Sequence, residues 1–150
     1  MTGTLSFHTI NGDKQAFLPL IYEADPDPAM VGRYLDRGTL FVAYCGNEPA
    51  CAAVVVHISP EECELKALAT EERFRRRGIA SAMIRHLAET FQGRYASILV
   101  GTAEPGVPFY EKSGFVRFRT LKGFFVENYP EPVYDGGFLC RDMICLRKTL

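Results

Sequence analysis

The chain has 150 residues, of which 47% are hydrophobic and 23% charged, so it can bury a sizeable core without disulfides or metal ions. No apolar run approaches the roughly 18 residues that span a bilayer, and the amino terminus lacks the basic start and apolar stretch of a signal peptide. We therefore expect one domain over residues 1–150, in the cytoplasm, with no membrane partner.

Hydrophobic periodicity and turn residues divide the chain into strands and helices. Apolar residues on one side predict a helix over 13–24, which Pro26 and Pro28 end, and Pro28 suits the start of a second helix. Gly46 and Asn47 form the turn of a predicted hairpin. The predicted helices cover 13–24, 28–35, 78–91 and 107–113. The predicted strands cover 5–10, 39–45, 49–58, 62–70, 95–101, 115–121 and 138–146.

The resulting order, β-α-α-β-β-β-α-β-α-β-β, mixes hairpins with one crossover. It predicts a mixed α/β fold, with a mostly antiparallel central sheet and helices on both faces. Residues 123–137 form a long predicted loop that is rich in aromatic residues and contains prolines. Loops of this length in a compact domain are often functional.

The cysteines and histidines do not suggest a metal site. The number of cysteines is odd, no Cys-x-x-Cys pair occurs, and the three histidines are far apart in the sequence. Four of the five cysteines lie in apolar, strand-like runs, which is typical of buried, reduced thiols. We therefore expect no metal cofactor.

A basic turn at residues 75–80, with the sequence Arg-Arg-Arg-Gly-Ile-Ala, joins a predicted strand to a predicted helix. The helix is indicated by apolar residues that recur every four positions, from Ile79 to Phe91. A helix start offers free backbone N–H groups and the positive end of the helix dipole, to which arginines add charge. The turn is therefore suited to bind a phosphate or pyrophosphate.

Two other interpretations of the turn remain open. The arginines could form a solvated surface turn, or a patch that binds nucleic acid. Gly78 and Ala80 favour a ligand, because glycine lets the backbone approach it closely and a small residue leaves space. Nucleic-acid binding usually needs basic residues spread over a face with several aromatics, and only Phe74 is interleaved here. We expect no nucleic-acid partner.

The turn resembles the Arg/Gln-x-x-Gly-x-Gly/Ala loop with which GNAT N-acetyltransferases bind the pyrophosphate of acyl-CoA. A second segment, 109–115, is similar to the family's Phe-Tyr-Glu-Lys-x-Gly-Phe sequence, and residues 141–144 resemble the final strand of small bacterial members. The resemblance covers about residues 63–115. It implies acetyl-CoA as the acyl donor and the GNAT order of elements.

The same resemblance implies which residues hold the donor. The strand before the loop would part from its neighbour, so that its backbone pairs with the pantetheine amides, and the loop amides would bind the diphosphate. Asparagine is common in the family after the next strand, whereas this chain has Thr102. The implied donor-binding residues are Leu68, Ala69, Thr70, Arg75, Arg76, Arg77, Gly78, Ile79, Ala80, Ser81 and Thr102.

Tyr110 and Glu64 are the candidate catalytic residues. A phenol remains protonated at neutral pH and could protonate the departing thiolate, although an isolated tyrosine is more often part of the core. Glu64 precedes the turn by the spacing at which some family members carry a base, and it is equally consistent with a surface strand residue. Strand alternation places it on the same face as Lys66, a possible ion-pair partner, and Leu68.

The acceptor is expected to be the amine of a small cationic molecule. The segments that build the acceptor side in this family, 13–37 and 122–142, are acidic here, and the second is aromatic. The candidate contacts are Asp25, Phe125, Tyr129 and Asp135. A solvated loop, a peptide acceptor and a non-catalytic acyl-CoA sensor are the alternatives. The resemblance also allows a homodimer.

Overall fold

The computed structural model of the protein describes residues 4–150. Its strands are β1 Leu5–Ile10, β2 Thr39–Cys45, β3 Glu48–His57, β4 Glu62–Thr70, β5 Ser97–Thr102, β6 Val116–Leu121, β7 Val133–Asp135, β8 Phe138–Cys140 and β9 Met143–Thr149. Its α-helices are α1 Leu18–Ala24, α2 Pro28–Tyr34, α3 Ile79–Phe91, α4 Val107–Lys112 and α5 Phe124–Asn128. Short 3₁₀ turns lie at Gln15–Phe17, Glu72–Phe74 and Glu104–Gly106.

Seven strands form the central sheet, in the order β1-β2-β3-β4-β5-β9-β6. Every neighbouring pair is antiparallel except β4 and β5, which are parallel and are connected through α3. β7 and β8 form a separate two-stranded hairpin. The predicted mixed, mostly antiparallel sheet is confirmed.

Each face of the sheet has its own hydrophobic core. On one face, α3 buries Ile84 and four residues that recur at every fourth position, and α4 adds Val107. On the other face, α1 and α2 bury Leu20, Ile21, Val31 and Tyr34 against β2, β3 and β4. The four buried residues of α3 that recur every fourth position are Ile79, Met83, Leu87 and Phe91. The predicted helices on both faces are thus confirmed.

The first helix begins later in the structure than the sequence predicted. Residues 15–17 form a 3₁₀ turn, and α1 begins only at Leu18, with Pro19 in its first turn. Proline has no N–H to donate and disfavours a helical residue before it, so it marks the helix start rather than an interior position.

The predictions over residues 123–146 need two corrections. The segment predicted as a loop contains α5 and β7, and the single strand predicted over 138–146 is divided into β8 and β9. Gly136 and Gly137 both have positive φ, 55° and 87°, which suits the tight turn of the β7–β8 hairpin. The break between β8 and β9 exposes the Arg141 carbonyl and the Asp142 carboxylate, which accept bonds from the amides of Phe125 and Gly123.

β4 contains a bulge that changes which side chains share a face. Val55 pairs with Leu65 but Val54 pairs with Ala67, so Lys66 is an extra residue in the ladder. Glu64 consequently lies on the face covered by α1 and α2, whereas Leu68 packs towards the α3 face. The expected sharing of one face by Glu64 and Leu68 was wrong, because simple alternation does not survive a bulge.

None of the helices found within residues 4–150 has the length and apolar character needed to cross a bilayer.

Candidate functional site

The site lies where β4 and β5 separate. Their parallel pairing runs from Glu62–Ser97 to Leu65–Val100 and then stops, although both strands continue. Beyond this point a cavity of about 550 Å³ opens between them. Its walls come from β4, β5, α4, the connection from α1 to α2, and the segment from α5 to β9. This separation is the arrangement that the family resemblance implies.

The basic turn lies next to this opening and has the geometry of an anion cradle. Arg76 and Gly78 both have positive φ, 64° and 76°, which turns the backbone sharply before α3. Gly78 is the N-cap of α3, and no side chain caps the helix. The first N–H groups of a helix have no acceptor within it, so these amides face a ligand or water. A Cβ at Gly78 would meet no atom within 4 Å, so space for a ligand is present.

The arginines of the turn differ in their partners. Arg75 donates to Glu23 Oε1 (2.8 Å) and to the carbonyl of Thr70 (3.0 Å), which joins the turn to α1 and to the end of β4. Arg73 is paired with Glu48 and Glu71. Arg76 and Arg77 form no ion pair among the described residues, so their charges remain available to an anion.

A smaller cavity of about 300 Å³ lies beside the turn. It is lined by both ends of the Arg75–Glu23 pair, by the last three residues of β4 and by the first turn of α3. The lining residues that the sequence predicted are Leu68, Ala69, Thr70, Arg75, Arg76 and Ala80. The turn, the strand end and the helix start therefore border one continuous region.

Tyr110 lines the larger cavity from α4. Its half-buried ring packs edge-on against Phe109 and Phe115, with centroids 5.0 and 5.5 Å away. Burial raises the pKa of this phenol above its ordinary value, so the hydroxyl keeps its proton throughout the physiological range. Thr102 lines the same cavity, and a Cβ at Gly106 would overlap its side chain. Glycine there lets α4 begin directly against the end of β5.

A buried carboxylate lies in the opposite wall. Asp25, the C-cap of α1, is 7% exposed and lines the cavity. Tyr34 donates to its Oδ2 (3.1 Å), and Tyr129 and the Asp27 amide donate to its Oδ1 (3.0 and 3.4 Å). Desolvation raises the pKa of Asp25, and the tyrosine hydroxyls partly offset this. The ring of Phe125 packs on the ring of Tyr129, with a distance of 5.7 Å between their centroids.

Glu64 is placed differently from the other candidates. It forms a 3.4 Å ion pair with Lys66, as expected, and only Lys66 of the two lines the cavity.

The other predicted residues divide into two groups. Those that border the larger cavity include Asp25, Phe125, Tyr129 and Asp135, whereas Arg77, Gly78, Ile79 and Ser81 border neither cavity. No local pattern identifies Tyr34 as a site residue, because its hydrogen bond to Asp25 depends on how α2 packs. No group of three or more potential metal ligands occurs within residues 4–150.

Comparison with known proteins adds independent findings. The sequence model of the acetyltransferase (GNAT) domain matches residues 36–117. The protein YvbK of Bacillus subtilis strain 168, an uncharacterized N-acetyltransferase, is 29% identical over 135 residues, which cover 87% of each chain.

Two solved structures extend the likeness to the whole fold. A GNAT family acetyltransferase from Elizabethkingia anophelis, with acetyl-CoA bound, is 29% identical, with a TM-score of 0.92 over 97% of this chain and 98% of that one. A Bacillus subtilis acetyltransferase in complex with CoA is 25% identical, with a TM-score of 0.88 over 98% of this chain and 99% of that one.

Proposed function

Because this chain belongs to the GNAT family of N-acetyltransferases, we propose that it transfers the acetyl group of acetyl-CoA to the primary amine of a small cationic molecule. The observation that carries the proposal is the cavity between β4 and β5. Tyr110 borders it on one side and the buried carboxylate of Asp25 on the other. An acid for the leaving thiolate and a negative group for an ammonium thus share one space.

The donor fits the turn and the strand end. Acetyl-CoA supplies the thioester whose acyl group is transferred. The uncapped amides at the start of α3 would bind its diphosphate, with charge added by Arg76 and Arg77. The backbone of β4 beyond Leu65 has lost its partner on the β5 side, so it can pair with the pantetheine amides as a strand would. One of these N–H groups would stabilise the oxyanion of the thioester carbonyl.

The acceptor side supports a small cation. Three carboxylates line the larger cavity, those of Glu23, Asp25 and Asp135, against one lysine, Lys66. Phe125 and Tyr129 add aromatic surface that can contact an ammonium group. The hydrogen bond from Tyr129 to Asp25 joins the α5 segment to the α1–α2 connection. A peptide would need an open groove between those two walls, so this contact favours a small molecule.

The chain's own residues would then serve the transfer as follows. The neutral amine attacks the thioester carbonyl directly, with both substrates bound, and the gain comes mainly from their positioning. Tyr110 donates its proton to the departing sulfur. A carboxylate takes the proton that the amine loses. The chain offers two candidate carboxylates: Glu64, which the family resemblance suggests, and Asp25, which lines the cavity.

The test is a screen of acceptors, with release of free thiol from acetyl-CoA as the readout. Spermidine and kanamycin represent small cations, an arylamine represents neutral amines, and a short peptide with a free amino terminus represents protein substrates. We expect turnover of the cations. Turnover of the peptide or the arylamine without the cations would contradict the proposed acceptor class. Binding of acetyl-CoA with no turnover of any amine would favour a sensor instead.

A further inference from the structure

Asp25 and Tyr129 form a hydrogen-bonded pair in the acceptor wall. Asp25 is 7% exposed, so an acceptor molecule has little direct access to its oxygens. Tyr129 is half-buried, lines the same cavity and places its hydroxyl 3.0 Å from Asp25 Oδ1. A tyrosine hydroxyl that donates one bond still accepts another through its oxygen. The hydroxyl of Tyr129 can thus connect an acceptor in the cavity to the buried carboxylate.

Two further hydrogen bonds fix the Asp25 carboxylate. Tyr34 is 4% exposed and donates to Oδ2 from α2, and the Asp27 amide also donates to Oδ1. Asp25 therefore has a fixed orientation, and its bond to Tyr129 is the one that leads to the cavity. Such fixed geometry is what proton transfer between heavy atoms requires.

We propose that Asp25 and Tyr129 together accept the proton of the acceptor ammonium, an inference that rests on the proposed transfer to an amine. The ammonium N–H bond breaks as its proton binds the Tyr129 hydroxyl oxygen, and the original hydroxyl proton moves to Asp25. The nitrogen lone pair is then free to attack the thioester. The products of this step are a neutral amine, an intact Tyr129 and a protonated Asp25, so charge and protons balance.

The electrostatic surroundings agree with this role. Desolvation raises the pKa of Asp25, which makes it a stronger base than an exposed aspartate, and the nearby charge of Asp27 acts in the same direction. Burial and the Asp25 charge raise the pKa of Tyr129, so it serves as a neutral relay, while Arg33 acts weakly in the opposite direction. The other ionisable groups in the cavity wall are Glu23, Lys66, Tyr110, Tyr134, Asp135 and the Cys140 thiol, whose pKa is raised by burial.

The experiment compares pH profiles of kcat/KM for Tyr129→Phe and Asp25→Asn, with whichever of spermidine or kanamycin the wild type acetylates. At pH 7 we expect each variant to lose about a hundredfold, the usual lower range for general-base assistance. The loss should shrink towards pH 10, because alkylammonium groups with a pKa near 10.4 then deprotonate unaided. The double variant should be no slower than the worse single variant, since both act on one step.

A matched control distinguishes chemistry from packing. Tyr44→Phe removes a hydroxyl from a ring that packs edge-on against His8, away from the cavity, and should leave the profile unchanged. Tyr129→Phe keeps the ring that packs on Phe125, so it tests the relay even if Asp25→Asn does not fold. A loss that is equal at pH 7 and pH 10, or no loss, would overturn the relay. Failure of the wild type to acetylate either amine would overturn the proposed acceptor class itself.

Discussion

Replacing Gly78 tests whether the basic turn binds phosphate, because the structure separates the expected effects on stability and on acetyl-CoA affinity. Its φ is +76°, and a Cβ built there meets no atom within 4 Å. A residue with a side chain in the left-handed region costs about 1–2 kcal/mol, and the open space adds no clash. We therefore expect Gly78→Val to lower the free energy of unfolding by about 1–2 kcal/mol, or the Tm by roughly 2–8 °C.

The effect of Gly78→Val on acetyl-CoA affinity should be independent of its effect on stability. The valine would occupy the space beside the uncapped amides of α3, where we propose that the diphosphate of acetyl-CoA binds. We expect the affinity for acetyl-CoA to fall by tenfold or more, which is about 1.4 kcal/mol. Isothermal titration calorimetry on the folded variant measures this directly. Stabilisation of the variant against heat by acetyl-CoA should decrease correspondingly.

Gly93→Val is the matched control. Gly93 follows the carboxyl end of the same helix, its φ is +85°, and its Cβ would also meet no atom within 4 Å. The backbone strain is thus similar, but the residue is at the far end of α3 from the turn. We expect a comparable fall in Tm with unchanged affinity. Equal affinities in the two folded variants would show that the turn does not hold the donor.

Two further predictions concern Tyr110 and His86. Tyr110→Phe keeps the ring that packs against Phe109, so it should lower kcat by about a hundredfold without weakening acetyl-CoA binding. A variant that kept the wild-type kcat would remove Tyr110 from the mechanism, provided that product release does not limit turnover. Burial lowers the pKa of His86, whose ring stacks on Phe7. As the pH falls, the unfolded chain therefore takes up a proton at this histidine at a higher pH than the folded chain does. The free energy of unfolding should then decrease below about pH 6.5. Urea unfolding should show a shallower pH dependence in His86→Phe, and an equal slope would contradict this.

Much of the fold could be predicted because its signals are local. The periodicity of α3 indicates one face that must be buried, and the continuous apolar runs of β2 and β3 indicate strands buried on both faces. The basic turn could be identified for the same reason, since it depends on six consecutive residues. The division of 138–146 was not, because the break between β8 and β9 is stabilised by distant amides, those of Gly123 and Phe125.

The candidate site was harder to predict than the fold. Asp25 and Tyr129 are 104 positions apart, and only the acidic and aromatic composition of their segments pointed to the acceptor side. Nothing in the sequence indicated that they bond to each other, or that Tyr34 holds the same carboxylate. Such contacts depend on how α2 and the α5 segment pack, which no local pattern encodes.

Glu64 shows how one extra residue changes a functional assignment. Simple alternation would put its side chain on the face of Leu68, but the bulge at Lys66 reverses this relation. Glu64 lies outside the cavity, and its clearest contact with the site is the 3.4 Å pair with Lys66, which does line the cavity. The structure therefore favours a role for Glu64 in neutralising Lys66, rather than in taking a proton from the acceptor.

Glu64→Gln distinguishes these two roles. Removing the carboxylate leaves the Lys66 charge uncompensated beside the proposed cationic acceptor, so KM for the amine should rise while kcat changes little. Both side chains are partly exposed, and such pairs contribute about 0.2–1 kcal/mol, so the rise should be at most about fivefold and should decrease in high salt. Glu64→Gln combined with Lys66→Met removes both charges and should restore KM. A kcat loss concentrated at low pH, which the double variant does not restore, would instead identify Glu64 as the base.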